Sequence, residues 1–294
     1  MTAVRVAFVG TGGAFSLAAL RVLLEHNIGI SHILLAGPAP AHQAAAPLPI
    51  PVAAQGDAVQ QLVQQRHIPI HYLSRAFTRS PAWQQFHPDG PAPDYLFMAC
   101  FPYRLPAALT GWPAKASLNL HPSLLPTYRG PDPLFWQLRR GETHTGISLH
   151  HVTPTLDGGD LVAQQPIPFP TGATRQELDT LLAGRGAALF CLLLSAGALP
   201  PAQIQAPAAA HYDPLPRPED YRLSCQWSAH RAFNFIRGTA CPTQAYALEI
   251  GEQCYQLTEA ISYQADGRLS TPAEKIGEEL LIQFSPGVLR AKAR

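Results

Sequence analysis

The first 25 residues place an apolar strand, a glycine-rich turn and an amphipathic helix directly one after another. Residues 4–9 are apolar apart from Arg5, the sequence GTGG follows at 10–13, and a helical pattern continues to Glu25. A strand, a glycine turn and a helix in this order open a βαβ unit, which builds a parallel sheet covered by helices. A dinucleotide-binding fingerprint would need its third glycine at Phe15, so we interpret the turn as structural.

The hydrophobic pattern continues this alternation of strands and helices through most of the chain. Short apolar or alternating runs predict strands at 32–35, around His71, and at 95–99, 118–121, 146–152 and 160–166. Helical spacing predicts helices at 57–66, 134–140 and 174–196, the last opened by a capping box of Thr174 and Glu177. Prolines place residues 37–52 in a surface loop. The predicted fold class is therefore α/β with a mostly parallel sheet.

A change of composition after residue 196 predicts the domain organisation. Residues 197–218 are rich in Ala, Pro and Gln and have no charged residue before Asp213, which indicates a linker. Beyond it, the pattern predicts a helix at 228–237, half of a hairpin at 243–250 and a second hairpin at 279–284 and 288–291. We therefore predict a catalytic domain at 1–196 and a small open β-barrel, OB-like, at 219–294.

Charge, cysteine content and hydropathy exclude several classes of protein. With a net charge of +1 and only 14% charged residues, the 294-residue chain lacks the basic composition of a strong nucleic-acid binder. Its five cysteines have no CxxC spacing, so we expect reduced thiols and neither a disulfide framework nor a zinc site. We expect no secretory leader and no apolar run able to span a bilayer, the richest run, 187–198, being a candidate core helix. The expected location is cytoplasmic, without a membrane partner.

Residues 117–160 are the most informative stretch for function, with the sequence SLNLHPSLLPTYRGPDPLFWQLRRGETHTGISLHHVTPTLDGGD. Asn119 and His121 lie two positions apart at the end of an apolar run, so on a strand both would face the same side. Asp157 stands in LDGGD, where glycines let the backbone approach a ligand closely. An amide donor, an imidazole and a carboxylate that orients it are the groups that acyl transfer requires.

Each of these residues also has a structural interpretation. A histidine near a strand end is more often structural than catalytic, and an Asp before two glycines commonly caps its own turn. The adjacent His150 and His151 would face opposite sides of a strand and lack a nearby Cys or carboxylate pattern. We therefore interpret these two histidines as structural and not as zinc ligands. Only the order and spacing of the whole string favour a functional interpretation.

That string resembles the formyltransferases that use 10-formyltetrahydrofolate, a family with members that act on methionyl-tRNA, on sugar nucleotides and on glycinamide ribonucleotide. The matching motifs are Asn119-Leu120-His121, Ser123-Leu124-Leu125-Pro126, Tyr128-Arg129-Gly130, Gly141-Glu142, Thr145-Gly146 and Leu156-Asp157 with Gly159. The resemblance is strong over residues 94–168 and looser in VRVAFVGTGGAFSLAAL at 4–20 and QWSAHRAFNFIRG at 226–238. It implies a Rossmann-like formyltransferase domain and no metal.

The resemblance also implies a catalytic triad of Asn119, His121 and Asp157. Asn119 and protonated His121 would stabilise the oxyanion, and Asp157 would hold the tautomer of His121. Arg129 would bind an anionic part of a substrate, with a turn-capping surface arginine as the alternative.

Two further groups of residues would contact the co-substrate 10-formyltetrahydrofolate. The pteridine would be cradled, largely by backbone groups, by Tyr103, Arg104, Leu105, Thr153, Pro154, Thr155 and Leu156. A wall along the folate would be formed by Ser123, Leu124, Leu125 and Pro126. Simple packing at a strand-to-loop corner is the alternative interpretation of this wall.

The sequence leaves several acceptors of the formyl group open. Enzymes that formylate methionyl-tRNA usually carry a basic loop after the second strand, whereas residues 37–55 contain no Lys or Arg. Sugar-nucleotide enzymes often have an Arg after the TYRG glycine, where this chain has Pro131 and Asp132. We expect a small amine, such as an amino sugar nucleotide, an amino acid derivative or a carrier-bound aminoacyl group, with methionyl-tRNA as the alternative. A 10-formyltetrahydrofolate hydrolase and a non-catalytic folate-binding protein are the two other hypotheses.

Overall fold

The computed structural model describes residues 4–37, 56–63 and 66–294. The chain forms two compact units, each of which combines segments that are distant in sequence. Unit 1 comprises Met1–Pro131, Gly146–Ile167 and Asp179–Asp213, and unit 2 comprises Asp132–Thr145, Pro168–Leu178 and Pro214–Arg294. Apart from Gly37, the predicted surface loop at 37–52 lies outside the described residues.

The units divide the chain at other places than the domains predicted from sequence. Residues 197–213, predicted to be linker, group with unit 1, and residues 132–145 group with unit 2 although they precede the predicted boundary at 196. Two backbone hydrogen bonds between Gln203 and Leu161, of 2.7 and 2.8 Å, tie the supposed linker to a strand of unit 1. The domains at 1–196 and 219–294, with a linker at 197–218, stay a prediction.

A seven-stranded sheet forms the centre of unit 1. Its strands are β1 (Arg5–Gly10), β2 (Gly29–Ala36), β3 (Ile70–Leu73), β4 (Tyr95–Ala99), β5 (Ala116–His121), β6 (His144–His151) and β7 (Leu161–Pro168). They lie in the order β3-β2-β1-β4-β5-β6-β7, in which β1 to β5 pair in parallel and β5 pairs antiparallel with β6. The prediction of an α/β fold with a mostly parallel sheet is confirmed.

The helices follow the predicted positions closely, except the short one at 107–110, for which the sequence predicted no helix. They are α1 (Ala14–Glu25), α2 (Gly56–Val63), α3 (Ala107–Thr110), α4 (Pro133–Arg140), α5 (Arg175–Ser195) and α6 (Ala229–Thr239). The predicted capping box is present at the start of α5, where Glu177 accepts hydrogen bonds of 2.8 Å from the backbone and side chain of Thr174. Strands β1 and β4 are buried almost throughout, which explains their unbroken apolar sequences.

Helix α5 corrects one expectation from the sequence. By length and composition alone it is apolar enough to cross a membrane, although no such segment was expected. Its packing is that of a core helix, because the fully buried ring of Phe190 lies 4.8 Å from that of Phe97 on β4. Gly186 lies against Leu120 on β5, where a Cβ atom would come within 2.2 Å of the leucine side chain. The helix therefore covers one face of the sheet, as the prediction of a core helix implied.

The strand order places a ligand-binding edge where the sequence has its polar residues. The order reverses between β1 and β4, with β2 on one side and β5 on the other. In open α/β sheets, ligands bind beyond the carboxyl ends of the strands at such a reversal. Because β5 ends at His121, both Asn119 and His121 lie at this edge.

Unit 2 contains a five-stranded antiparallel sheet. Its strands are β8 (Tyr246–Ile250), β9 (Gln253–Gln264), β10 (Ala273–Ile276), β11 (Glu279–Gln283) and β12 (Val288–Ala293), in the order β10-β11-β12-β9-β8. The hairpins β8–β9 and β11–β12 confirm the predicted pairings. The closure of this sheet into an open β-barrel stays a prediction.

Aromatic rings explain why α4 belongs to unit 2. Phe135 on α4 lies 5.3 Å from Phe235 on α6 and 5.0 Å from Tyr221, measured between ring centroids. Tyr246 on β8 is fully buried and lies 5.6 Å from Phe235. Such rings bury large apolar areas, so they hold α4, α6 and the sheet in one core.

Candidate active site

Asn119 and His150 face each other across the antiparallel pair β5 and β6. The register pairs the two residues, and Nδ2 of Asn119 lies 3.0 Å from Nε2 of His150. Nδ1 of His150 lies 2.9 Å from the carbonyl oxygen of His151, which can only accept a hydrogen bond. Nδ1 therefore carries the proton, and Nε2 accepts a hydrogen bond from the amide of Asn119.

The charge state of His150 is set by its surroundings. Burial and, to a smaller extent, the neighbouring His121 lower the pKa of His150 to about 4, although Asp157 acts in the opposite direction. The imidazole is therefore neutral near neutral pH, as its acceptor role requires. A protonated ring would present two donors and lose the hydrogen bond from Asn119. The buried, neutral His150 thus fixes the orientation of the Asn119 amide.

His121 is held at the end of β5 by a backbone carbonyl. Its Nε2 lies 2.8 Å from the oxygen of Tyr128, so Nε2 carries a proton and donates it to this hydrogen bond. Nδ1 faces Asp157, at 3.6 Å from Oδ1, a distance suited to an ion pair and too long for a hydrogen bond. The resemblance implied that Asp157 fixes the tautomer of His121, whereas in the structure the carbonyl of Tyr128 does so.

The loop that carries Asp157 has a conformation that its sequence explains. Asp157 has φ 52°, in the left-handed region that Asp tolerates better than most side chains. Its Oδ2 accepts a hydrogen bond of 2.9 Å from the backbone N–H of Gly130. A Cβ atom on Gly159 would lie 1.9 Å from the carbonyl oxygen of His151, so only glycine fits there. The glycines of LDGGD therefore bring the carboxylate close to β6.

The three predicted triad residues converge on one point. Oδ1 of Asp157 lies 3.4 Å from Nδ2 of Asn119 and 3.6 Å from Nδ1 of His121. Asn119 and His121 are buried, and the side chain of Asp157 is 15% exposed, so the charge is screened from bulk water on most sides. This arrangement can offer N–H donors to an oxyanion, exchange a proton at Nδ1 and offset the resulting positive charge. In the described part of the chain, no three or more His, Cys, Asp or Glu side chains have a metal-binding arrangement.

A cleft of about 450 Å³ adjoins the loop that carries Asp157. The residues that line it include Arg104, Arg129, Pro154, Thr155, Leu156, His211 and Tyr212. Four of these, Arg104, Pro154, Thr155 and Leu156, belong to the predicted folate-binding set. Leu156 is 45% exposed, which leaves apolar surface available to a ligand.

The other residues of the predicted pteridine cradle do not line this cleft. Tyr103 packs edge-on against Phe101, with ring centroids 5.4 Å apart, and Leu105 packs against the buried cluster that contains Trp83. The hydroxyl of Thr153 donates a hydrogen bond of 3.0 Å to the backbone carbonyl of Thr155 within the loop. Their assignment to folate binding stays a prediction.

The segment from Ser123 to Pro126 forms a packed corner. Ser123 is fully buried and donates a hydrogen bond of 2.9 Å to the carbonyl of Thr127. Leu125 is 3% exposed, and Leu124 lies against Gly146, where a Cβ atom would come within 2.4 Å of it. Packing at a strand-to-loop corner accounts for these contacts, and a role as a wall of the folate site stays a prediction.

Two buried polar residues of the site were missed from the sequence. His150 was interpreted as structural, but it lies beside Asn119, with Nε2 also 3.8 Å from Oδ1 of Asp157. Pairing the apolar runs at 118–121 and 146–152 as antiparallel neighbours would have placed it there. Gln205 was assigned to the linker, but its Nε2 donates to the backbone carbonyl of Asp157 at 2.8 Å. No local sequence signal reports such a long-range contact.

Sequence comparisons relate the chain to known formyltransferases. Residues 49–192, which include the three converging residues, match the family model described as formyl transferase. The chain is 33% identical over 203 residues to a methionyl-tRNA formyltransferase of Moorella thermoacetica, across 67% of this chain and 64% of that protein. It is 28% identical over 257 residues to a methionyl-tRNA formyltransferase of Syntrophus aciditrophicus, across 86% of this chain and 78% of that one. The match to the Moorella protein therefore spans less than two thirds of its length.

A solved structure has a similar fold over its whole length. It is the crystal structure of an N-formyltransferase from Helicobacter canadensis in complex with folinic acid and dTDP-3-aminofucose. The TM-score is 0.68 with 13% sequence identity, over 99% of both chains. At this identity the similarity concerns the fold alone.

Proposed function

Since this chain belongs to the formyltransferase family and is an enzyme, we propose that it moves a formyl group from 10-formyltetrahydrofolate to a primary amine. The observation that carries the proposal is the convergence of Asn119, His121 and Asp157 on one point. The donor is proposed to bind in the cleft that Arg104 and residues 154–156 line, because its lining combines apolar surface with polar backbone.

The proposed reaction starts with attack of the amine nitrogen on the formyl carbon. The new C–N bond places negative charge on the formyl oxygen, which needs N–H donors in fixed positions. One N–H of Asn119 is held by His150, and the other, now 3.4 Å from Asp157, is the donor proposed for the oxyanion. Protonated Nδ1 of His121 is the second proposed donor, because Nε2 is already bound to the carbonyl of Tyr128.

Collapse of the oxyanion then breaks the bond from the formyl carbon to the folate nitrogen. That nitrogen must gain a proton, and the attacking amine must lose one. Asp157 is the proposed relay, directly or through a water molecule, because its carboxylate lies within 3.6 Å of both Asn119 and His121. Its negative charge also stabilises the imidazolium form of His121. The products are a formamide and tetrahydrofolate, so atoms and protons balance.

Charge pairing in unit 2 favours a small acceptor. On its antiparallel sheet Lys292 lies 2.7 Å from Glu259 and Arg290 pairs with Glu279, and Arg222, outside the sheet, lies 3.1 Å from Glu249 on β8. A surface that binds phosphates needs basic side chains that are not already neutralised. Together with the absence of Lys and Arg at 37–55, this pairing supports a small primary amine. The open β-barrel proposed for this unit would then not bind nucleic acid.

Methionyl-tRNA is the second candidate acceptor. It is favoured by the relatives from Moorella and Syntrophus, whose names state this activity. A tRNA enzyme would lose activity steeply with added salt, because each phosphate contact releases counterions. A small-amine enzyme would show a weak salt dependence.

The test is an assay with 10-formyltetrahydrofolate and three kinds of amine: an amino sugar nucleotide, a free amino acid and methionyl-tRNA. We expect tetrahydrofolate and one formylated product in equal amounts from the unmodified protein. His121→Ala should lower kcat/KM at least about 10²-fold, the low end for removal of an acid–base group. The matched control is His144→Ala, which removes an exposed histidine from the other end of β6.

Two outcomes would contradict the proposed reaction, and a third would contradict the proposed role of His121. Formate released at a rate that no amine changes would identify a 10-formyltetrahydrofolate hydrolase. Binding of the folate without any turnover would identify a non-catalytic folate-binding protein. Full activity in His121→Ala would exclude the proposed role of the imidazole.

A further inference from the structure

Gln205 is a buried amide in a segment whose sequence has no other sign of function. It is 5% exposed and lies in the stretch that composition assigned to a linker. The backbone of Gln203, two residues earlier, pairs with Leu161 on β7, so the segment is fixed to the sheet of unit 1. Gln203 is exposed whereas Gln205 is buried, so two glutamines close in sequence have different surroundings.

The side chain of Gln205 makes four hydrogen bonds in two directions. Its Nε2 donates to the backbone carbonyl of Asp157 at 2.8 Å and to that of Gly159 at 2.7 Å. Its Oε1 accepts from Nε and Nη2 of Arg129, at 3.1 and 2.6 Å. Both amide hydrogens and both lone pairs of the amide oxygen are therefore used, which is the full capacity of a glutamine.

The loop that carries Asp157 and the segment Arg129-Gly130 are also joined by a direct hydrogen bond. The backbone N–H of Gly130, the residue after Arg129, donates to Oδ2 of Asp157 at 2.9 Å. The loop that carries Asp157 is thus bound to Gly130 directly, through the Asp157 carboxylate. It is bound to Arg129 indirectly, through Gln205, which contacts both the loop carbonyls and the guanidinium. The direct bond orients the carboxylate, and Gln205 fixes the backbone from which the carboxylate projects.

We propose that Gln205 is a positioning residue that holds Asp157 in the geometry needed for catalysis. This inference rests on the proposed function, because positioning has a measurable consequence only if Asp157 acts in the reaction. Gln205 does not itself touch the reacting atoms. It acts by keeping Oδ1 of Asp157 at 3.4 Å from Asn119 and at 3.6 Å from His121.

The chemistry of this position requires a glutamine. Glutamate has the same shape but no hydrogens, so it would direct negative charge at two carbonyl oxygens. Methionine has a similar length and would leave both carbonyls and the Arg129 guanidinium without their partners. A displacement of about 1 Å at a reacting group costs up to about 10²-fold in rate, so a relaxed loop would be visible in turnover.

The experiment compares Gln205→Met with the matched control Gln203→Met in the full-length protein. The control changes the same side chain two residues away, where it is exposed. Two readouts are measured: kcat at saturating substrates, and deuterium uptake of peptides that cover residues 153–160. We expect Gln205→Met to lower kcat about 10- to 100-fold and to raise the uptake of these peptides. The control should match the unmodified protein in both readouts.

The readouts separate a positioning role from general stability. A merely structural residue would lower the melting temperature but leave kcat of the folded enzyme unchanged. The inference is overturned if either kcat or the deuterium uptake of Gln205→Met equals that of Gln203→Met while the unmodified protein transfers formyl groups. If the unmodified protein transfers none, the proposed function fails, and with it the catalytic part of this inference. Deuterium uptake then still decides whether Gln205 anchors the loop.

Discussion

Two pairs of histidines lie on neighbouring strands of the same sheet, and only one pair belongs to the candidate active site. His32, His121 and His150 are buried, and His71 is half-buried. His121 and His150 lie on β5 and β6, with ring centroids 6.4 Å apart. His32 and His71 lie on β2 and β3, with ring centroids 5.6 Å apart. In both pairs burial lowers the pKa of at least one ring, for His150 to about 4. Burial and proximity therefore do not distinguish a reactive histidine from a packed one.

The two pairs differ in what surrounds the ring nitrogens. Around His121 and His150 the partners are polar, and the carboxylate of Asp157 lies within 3.8 Å of both rings. The ring nitrogens of His32 lie 3.2 Å from the hydroxyl of Ser31 and 3.2 Å from the backbone carbonyl of Asp89, which are both uncharged, and the ring lies 5.2 Å from that of Trp112. Among the described residues, the buried Nε2 of His71 has no hydrogen-bond partner. A reactive pair is thus marked by a carboxylate that can balance a proton and by its place at the carboxyl edge of the sheet.

Removing the carboxylate should have the largest effect. Asp157→Asn keeps the size of the side chain but takes away the charge that stabilises protonated His121, so kcat/KM should fall at least about 10²-fold. Asp89→Asn is the matched control, because Asp89 is the acidic group whose charge acts on His71. It should leave kcat/KM unchanged. If kcat/KM in the formyl-transfer assay falls equally in the two variants, the carboxylate does not distinguish the reactive histidine pair from the packed one.

A smaller effect is expected at His150, which acts through Asn119. His150→Phe removes the acceptor of the Asn119 hydrogen bond, and kcat should fall about tenfold, since a buried hydrogen bond contributes about 1 kcal/mol or more. His150→Gln offers a carbonyl oxygen in place of Nε2 and should recover most of the activity. Because His150 is neutral above about pH 4, the pH profile of kcat/KM between pH 5 and 9 should keep its shape in both variants.

The two His150 variants test whether this histidine acts only through its hydrogen bond to Asn119. A shifted pH profile in His150→Phe would mean that this histidine, and not only His121, exchanges a proton during turnover. Equal losses in the Phe and Gln variants would mean that packing, rather than the hydrogen bond to Asn119, is what His150 contributes.

Local sequence patterns predicted the central part of the fold and two of the three converging residues of the candidate site. Strand periodicity placed Asn119 and His121 on one side of β5, and the spacing of Thr174 and Glu177 predicted the capping box of α5. These features depend on residues close in sequence, where backbone geometry fixes which side chains meet. The position of Asp157 came from the resemblance, since no local rule connects it to His121.

The remaining features depend on pairing between distant segments. His150 meets Asn119 only through the antiparallel register of β5 and β6, and Gln205 reaches Asp157 across 48 positions. The grouping of residues 132–145 with unit 2 follows from the packing of Phe135 on Phe235. Residues 197–218 have the composition of a linker, because Ala and Pro side chains do not show which other segment they will contact. In the structure the backbone of Gln203 pairs with β7.

The smallest effect, and one of opposite sign, is expected at the other histidine pair. His71→Phe removes a buried nitrogen that lacks a partner and adds an apolar ring beside Phe86, so the free energy of unfolding should rise by about 1 kcal/mol. The formyl-transfer rate should not change. Chemical denaturation at pH 7.5 and the transfer assay together measure both expectations.

The same variant should flatten the dependence of stability on pH. Burial lowers the pKa values of His32 and His71, the charge of His71 lowers that of His32 further, Arg5 acts in the same direction, and Asp89 raises that of His71. Below the unfolded value of about 6.5 the unfolded chain binds more protons than the folded one, so stability falls as the pH falls. His71→Phe removes one group that binds a proton on unfolding and also removes its electrostatic repulsion of protonated His32. The free energy of unfolding should therefore decrease less between pH 6.5 and 5. If the free energy of unfolding of His71→Phe falls as steeply with pH as that of the unmodified protein, or more steeply, the histidine pair on β2 and β3 is not a source of acid sensitivity.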